Sequence, residues 1–206
     1  CFFNVESFDE LIAINRVSKD VGVNAKISIR VNPDIDPKTH PYISTGLKTS
    51  KFGIAIEDSY DAYIEASKMK NIDVVGIDAH IGSQIFDLQP FEDSLLRLEE
   101  LYHKLNDLGI NIRFIDIGGG LGIKYKDDDI PPTKKEFAEK IIKTMKKINC
   151  SLILEPGRSL VGNAGYLISK VLYKKKSNQK NFLIIDAGMN DILRPSLYNA
   201  YHKVSK

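Results

Sequence analysis

Strand-like and helix-like segments alternate about five times before residue 155, which restricts the chain to a parallel α/β sheet or barrel. A short apolar run at Phe2 and Phe3 is followed by Ser7-Phe8-Asp9-Glu10, a capping box whose hydroxyl and carboxylate satisfy free N–H groups at a helix start. Phe8, Leu11 and Ile12 continue it at helical spacing. Lys26 to Val31 alternates, with Ile27, Ile29 and Val31 on one face, and reads as a strand ended by Asn32-Pro33. Residues 33–53 read as a long polar loop containing His40, Gly46 and Gly53, and loops of that length inside domains are often functional. Ala62, Tyr63, Ala66 and Met69 mark a second helix, and Val74 to Ala79 a strand. Phe91, Leu95, Leu98, Tyr102, Leu105 and Leu108 form the clearest helical stripe, with Gly109 as its C-terminal cap. Ile112 to Ile117 is a strand, Thr133 and Glu136 open another helix through Phe137, Ile141 and Met145, and Ser151 to Leu154 is a strand.

After Gly165 the rhythm stops. Tyr166–Tyr173 and Phe182–Asp186 are strand-like with no helical stripe between them, and Lys174-Lys175-Lys176-Ser177-Asn178 reads as a solvated hairpin turn. The expected organisation is a partial β/α barrel over 1–163 and the start of a β-rich domain over 164–206. The 206 residues carry 29 basic and 27 acidic side chains, a net charge of +2 that gives no electrostatic case for nucleic acid or an anionic membrane. No apolar run approaches the ~20 residues of a membrane helix. Two cysteines, Cys1 and Cys150, make no disulfide framework, so a reducing, cytoplasmic setting is expected.

Three successive strands end in polar or glycine-rich segments: His80-Ile81-Gly82-Ser83-Gln84, Gly118-Gly119-Gly120-Leu121-Gly122 and Glu155-Pro156-Gly157-Arg158. In a β/α barrel, the C-terminal strand ends build the active site. Each segment also has a bland reading: a structural histidine, a tight turn, and a Glu155–Arg158 ion pair. The glycine run fails the dinucleotide fingerprint, because Ile123 stands where the last glycine belongs. It still presents N–H groups to an anion, so phosphate is its natural ligand. A phosphate cradle, an imidazole that can stack on a ring and a carboxylate for a ring nitrogen together suit pyridoxal phosphate. Phosphosugar chemistry on a barrel would use the glycines equally but has no specific need of the carboxylate.

These three segments resemble the motifs of pyridoxal-phosphate decarboxylases with the alanine-racemase type of barrel. The stretch from Asp186 through Arg194-Pro195-Ser196-Leu197-Tyr198, with His40 to Gly46 and Lys51-Phe52-Gly53, narrows the resemblance to the diaminopimelate decarboxylases. The resemblance implies a (β/α)8 TIM barrel, the cofactor pyridoxal 5'-phosphate, an amino-acid substrate and a homodimer. It implies that His80 stacks on the cofactor ring, that Glu155 pairs with the ring nitrogen, and that Ser83 and Gly120, with Gly118 and Gly119, lie at the phosphate. Pro156, Gly157 and Arg158 line the cofactor; Arg158 and Arg194, assisted by Tyr198, hold a substrate carboxylate, a task suited to the planar guanidinium fork. Lys51 resembles a lysine that pairs across the family's dimer interface.

Two departures accompany the resemblance. The family's cofactor lysine, in a Tyr-Ala-x-Lys-Ala-like context, has no counterpart here, since Lys48 and Lys51 do not match it. Its downstream Cys-Glu-Ser-like motif is also missing, and Cys150 does not match it. The chain therefore reads as a central piece of a longer enzyme, with about five of the eight β/α units of a full barrel. On its own it is expected not to catalyse decarboxylation. The remaining alternatives are an ornithine- or arginine-type decarboxylase of the same fold, and a non-catalytic regulatory relative.

Overall fold

The elements run in the order β1 (Phe3–Val5), α1 (Phe8–Val21), β2 (Ala25–Asn32), β3 (Ile54–Ala55), α2 (Ile56–Lys68), β4 (Ile72–Asp78) and α3 (Gln89–Asp107). They continue with β5 (Phe114–Asp116), α4 (Lys134–Met145), β6 (Ser151–Ile153), α5 (Arg158–Val161), β7 (Val171–Lys176), β8 (Asn181–Ile185) and α6 (Arg194–Tyr198). This computed structural model describes residues 1–37 and 51–205; His40 to Gly46 and Lys48 lie outside the described residues.

Six strands form one parallel sheet in the order β1-β2-β4-β5-β6, with β3 paired to the end of β2. The expected α/β class is what the chain adopts, as a partial TIM barrel whose sheet ends at β1 on one side and β6 on the other. Alternation along the strands divides the sheet into two faces. One face is apolar: Ile27, Ile29, Val31, Ile77 and Ile115 are buried in the main core cluster with Leu11, Ala62, Tyr63 and Ala66 of α1 and α2. Burying each such side chain stabilises the fold by roughly 1.5–3 kcal/mol.

The other face is polar toward the C-terminal ends of the strands. Register pairs Arg30 with Asp78 and Asp78 with Asp116, so the three stand in one row. One layer below, Ser28 pairs with Gly76 and Gly76 with Phe114. Gly76 must be glycine, because a Cβ there would run into the Phe114 ring. Just below the Ser28 row β2 and β4 slip by one residue, at Ile27/Ser28. The buried Tyr63 hydroxyl fills the irregularity, accepting from the Ile29 amide at 3.2 Å and donating to the Gly76 carbonyl at 2.8 Å.

The helix ends follow their sequence signals. Ser7 Oγ accepts from the Glu10 amide at 3.2 Å, but the Glu10 carboxylate accepts from the Glu6 amide at 2.6 Å rather than from that of Ser7, so the box expected there is half formed, whereas the Thr133/Glu136 capping box is complete. Such caps contribute about 1 kcal/mol each. Gly109, at φ +79°, closes α3 in the left-handed conformation. The α3 stripe is buried at Phe91, Leu95, Leu98, Tyr102 and Leu105, but Leu108 is half exposed because the helix has ended before it. None of the helices among the described residues is long and apolar enough to cross a membrane.

Beyond β6, β7 and β8 form an antiparallel hairpin. Lys174–Lys176 belong to strand β7 rather than to its turn, which corrects the sequence expectation. The reversal instead uses Ser177, whose hydroxyl accepts from the Lys180 amide at 3.1 Å. Residues 166–170 lie outside the strand.

Candidate active site at the strand ends

The sheet's C-terminal edge borders a cavity of about 280 Å³ lined by Asn4, Glu6, Arg30, Asp78, His80 and Glu155. Asn4 comes from β1, Glu6 directly follows it, Arg30 lies near the end of β2 and Asp78 ends β4. His80 and Glu155 each sit two residues past their strand, so the period of two keeps them on the same face as Asp78 and Ile153.

The three strand-end loops are joined to one another by hydrogen bonds. The Glu155 amide donates to the Gly118 carbonyl at 2.8 Å, and the Ile85 amide to the Gly120 carbonyl at 2.9 Å. Gln84 bonds Ile123 at both ends of its amide, and Arg158 Nη1 donates to Gln84 Oε1 at 3.3 Å. Arg158 thus turns to Gln84, and among the described residues no ion pair joins it to Glu155.

The glycine triplet is dictated first by space. A Cβ on Gly118, which has φ +66°, would meet His80 Nδ1 at 2.5 Å. A Cβ on Gly120, at φ +110°, would run into the Gly82 carbonyl oxygen, and one on Gly119 into that of Glu155. Two of the triplet's amides are already committed inside the protein: Gly118 N–H donates to Asp116 Oδ1 at 2.9 Å and Gly119 N–H to His80 Nδ1 at 3.2 Å. Gly118 and Gly119 therefore offer close approach, and Gly120 is the member whose amide has no acceptor among the described residues.

Burial, helped by the nearby Arg30 guanidinium and opposed by Glu155, holds the His80 imidazole below its usual range. With Nδ1 accepting from Gly119, the neutral ring carries its proton on Nε2. Arg30 Nη1 is bonded to Glu6 Oε1 at 2.5 Å, and Glu6 Oε2 also accepts from the Gly53 amide at 2.7 Å.

A second cluster lies beside the first. The Arg158 guanidinium sits 5.7 Å over the Tyr125 ring, whose edge meets His202 at 5.9 Å. Burial and the neighbouring Arg194 lower the Arg158 pKa, while Tyr125 opposes them. Arg194 packs 5.5 Å over Tyr198. Two buried nitrogens here, Arg194 Nε and His202 Nε2, have no hydrogen-bond partner among the described residues.

Of the residues singled out from sequence, the structure brings His80, Gly118, Gly119, Gly120 and Glu155 together at one rim. It places Arg158, Arg194 and Tyr198 in the adjoining cluster. Ser83 is half-buried in the loop after β4, and Pro156 and Gly157 are exposed after Glu155. Lys51 lies 5.3 Å over the Phe52 ring. Sequence reasoning gave no role to Asn4, Glu6, Arg30, Asp78, Gln84 or Asp116. The period of two would have found three of them: Asp78 precedes His80 by two residues, Asp116 precedes Gly118 by two, and Arg30 stands on the face opposite Ile27, Ile29 and Val31.

Residues 1–162 match the family described as pyridoxal-dependent decarboxylase, pyridoxal binding domain. The chain belongs to that family. Diaminopimelate decarboxylase of Aquifex aeolicus is 49% identical over 202 residues, which cover 98% of this chain and 48% of the relative. The same enzyme of Pseudomonas aeruginosa is 48% identical over 202 residues, again 98% of this chain and 48% of the relative. A crystal structure of diaminopimelate decarboxylase from Helicobacter pylori complexed with L-lysine superposes with a TM-score of 0.94 at 44% identity, covering 98% of this chain and 50% of that one. The chain thus spans about half the length of the curated relatives it matches.

The residues present fit a pyridoxal phosphate group. Gly120 presents an amide with no acceptor among the described residues, the ring-bearing His80 is neutral, and Glu155 brings a carboxyl group to the cavity.

Proposed function

We propose that this chain supplies the cofactor face and part of the substrate clamp of an enzyme that decarboxylates meso-2,6-diaminopimelate to L-lysine, the final step of lysine biosynthesis. The boundary between its barrel part, 1–163, and a β-rich part, 164–206, belongs to the same reading. Bound pyridoxal phosphate supplies a ring that withdraws electrons from the substrate α-carbon as carbon dioxide leaves.

The chain's own residues hold and tune that arrangement. Glu155 would hold a proton at the ring nitrogen of the bound group, which an amide would not. His80, its neutral imidazole held in place by the Gly119 amide, would pack on the ring. The Gly120 amide and the Ser83 hydroxyl would bind the phosphate, with Gly118 and Gly119 in the same loop. Pro156 and Gly157 turn the backbone so that Glu155 and Arg158 face the same site.

The observation that carries the substrate assignment is the pair Arg158 and Arg194. After burial, the charge of Arg194 helps depress the Arg158 pKa, and Arg194 Nε is buried with no hydrogen-bond partner among the described residues. An anion between them relieves both conditions. The carboxylate at the far end of diaminopimelate has that charge, whereas the far ends of ornithine and arginine are cationic. Tyr198, packed on Arg194, keeps the guanidinium directed.

The test measures carbon dioxide release by the whole protein from meso-diaminopimelate, ornithine and arginine at matched concentrations. Release from diaminopimelate alone is the expected result. Comparable release from ornithine or arginine would overturn the substrate assignment, and no release from any of them would overturn the enzymatic one.

A further inference from the structure

Three carboxyl groups converge at the rim. One oxygen each from Asp78, Asp116 and Glu155 lies within 4.8 Å of the other two. Asp78 and Asp116 are register partners on neighbouring strands, so the backbone fixes their proximity. Asp78 is only 3% exposed, yet its carboxyl accepts no hydrogen bond among the described residues. Burial also raises the Asp116 pKa, but there Oδ1 accepts from the Gly118 amide at 2.9 Å, a bond that opposes the rise and that Asp78 lacks. Glu155 is exposed to the cavity.

We propose that Asp78 is a positioning residue for Glu155: it keeps its proton at neutral pH and leaves Glu155 as the ionised carboxylate facing the cavity. Like charges this close in a desolvated place are not all ionised together, and the proton goes to the carboxyl with the least support for its charge. That carboxyl is Asp78. The groups facing it come from every surrounding element: Glu6 after β1, Arg30 on β2, Tyr63 on α2, Asp116 on β5, Glu155 after β6 and His80 on its own loop. Arg30 is the cation among them, and it is already ion-paired with Glu6. Burial and the neighbouring carboxylates outweigh it, and Asp78 is pushed up to about 8.

This inference rests on the proposed function only in giving Glu155 a ring nitrogen to face. Its test therefore uses the whole protein without cofactor, labelled with 13C at the aspartate side-chain carboxyl and titrated by NMR. One aspartate should titrate near pH 8, and its signal should be lost in Asp78→Asn but kept in Asp116→Asn. Glu155→Gln should move that midpoint downward by removing a neighbouring negative charge, a coupling that a packing role for Asp78 would not produce. An aspartate titrating near pH 8 that survives Asp78→Asn would overturn the proposal, as would the absence of any such aspartate. If Asp78→Asn does not fold, the comparison of wild type with Glu155→Gln decides, and an unmoved midpoint overturns it. Failure to bind pyridoxal phosphate would overturn the cofactor reading while leaving the titration of Asp78 intact.

Discussion

The amide of Gly119 donates to Nδ1 of His80 at 3.2 Å, tying the loop after β5 to the loop after β4. The bond selects the imidazole tautomer and needs the ring neutral. Burial favours the same state, since it lowers the His80 pKa. In the unfolded chain the ring titrates near its ordinary value of about 6.5, so below that pH the unfolded state binds the extra proton and gains on the folded one. His80→Asn, whose side-chain oxygen can still accept from Gly119, removes this contribution. Its melting temperature should fall less than that of wild type between pH 7 and pH 5. Parallel slopes for the two proteins would contradict the buried, neutral ring.

Gly120→Ala should both destabilise the protein and weaken cofactor binding. The residue sits at φ +110°, and a methyl group there collides with the Gly82 carbonyl. The backbone strain alone costs about 1–3 kcal/mol. Gly165→Ala is the control, because a Cβ at that position meets nothing and no unusual φ is required. Urea denaturation of both variants checks the contrast, and equal stabilities would contradict it.

Tyr63→Phe should lower stability by about 1–3 kcal/mol, the usual cost of leaving buried polar groups unsatisfied. The lost hydroxyl serves the Ile29 amide and the Gly76 carbonyl where β2 and β4 slip out of register. Equilibrium unfolding measures the loss. A change under about 0.5 kcal/mol, the range of ordinary surface substitutions, would mean that the strands re-pair without the phenol.

Arg194→Ala should raise KM for diaminopimelate about ten- to a hundred-fold, the equivalent of the roughly 1.5–3 kcal/mol in a hydrogen bond to a charged group. Pyridoxal phosphate affinity should stay near wild type, because Arg194, packed on Tyr198, is assigned to the substrate clamp and not to the phosphate cradle. Steady-state kinetics and a cofactor titration read the two separately. Loss of cofactor affinity with unchanged KM would put Arg194 in a different role.

Much of this architecture was legible because local signals and global fold agree. The N-terminal caps at Ser7 and Thr133, the Phe91–Leu105 stripe and the alternation in Lys26–Val31 each specify one element. The strand-end motifs at His80, Gly118 and Glu155 stood out because glycine, proline and polar residues interrupt apolar runs. Asp78, Asp116 and Arg30 were hidden by the opposite circumstance. They sit inside strands, where a charged residue is easily taken for the solvent side of an alternating pattern. In a β/α barrel that side is the interior, because the helices cover the other face, as α1 and α2 do here. β3 escaped notice because Ile54–Ala55 is two residues long. The lysine run at 174–176 suggested a turn by its charge, although a fully exposed strand accommodates lysine as readily.

The steric confinement of Gly118, Gly119 and Gly120 bears on any mutational scan of this protein. A library sorted only for expression or heat resistance would already return glycine at all three positions, because His80, Glu155 and Gly82 leave no room for a methyl group. Sorting for turnover would return the same letters, so tolerance at the triplet carries no imprint of catalysis. At Glu155, exposed at the cavity, and at Arg194, whose Nε has no partner among the described residues, the two sorts should diverge. The divergence itself is a map of where this fold is shaped by chemistry and where by its own geometry.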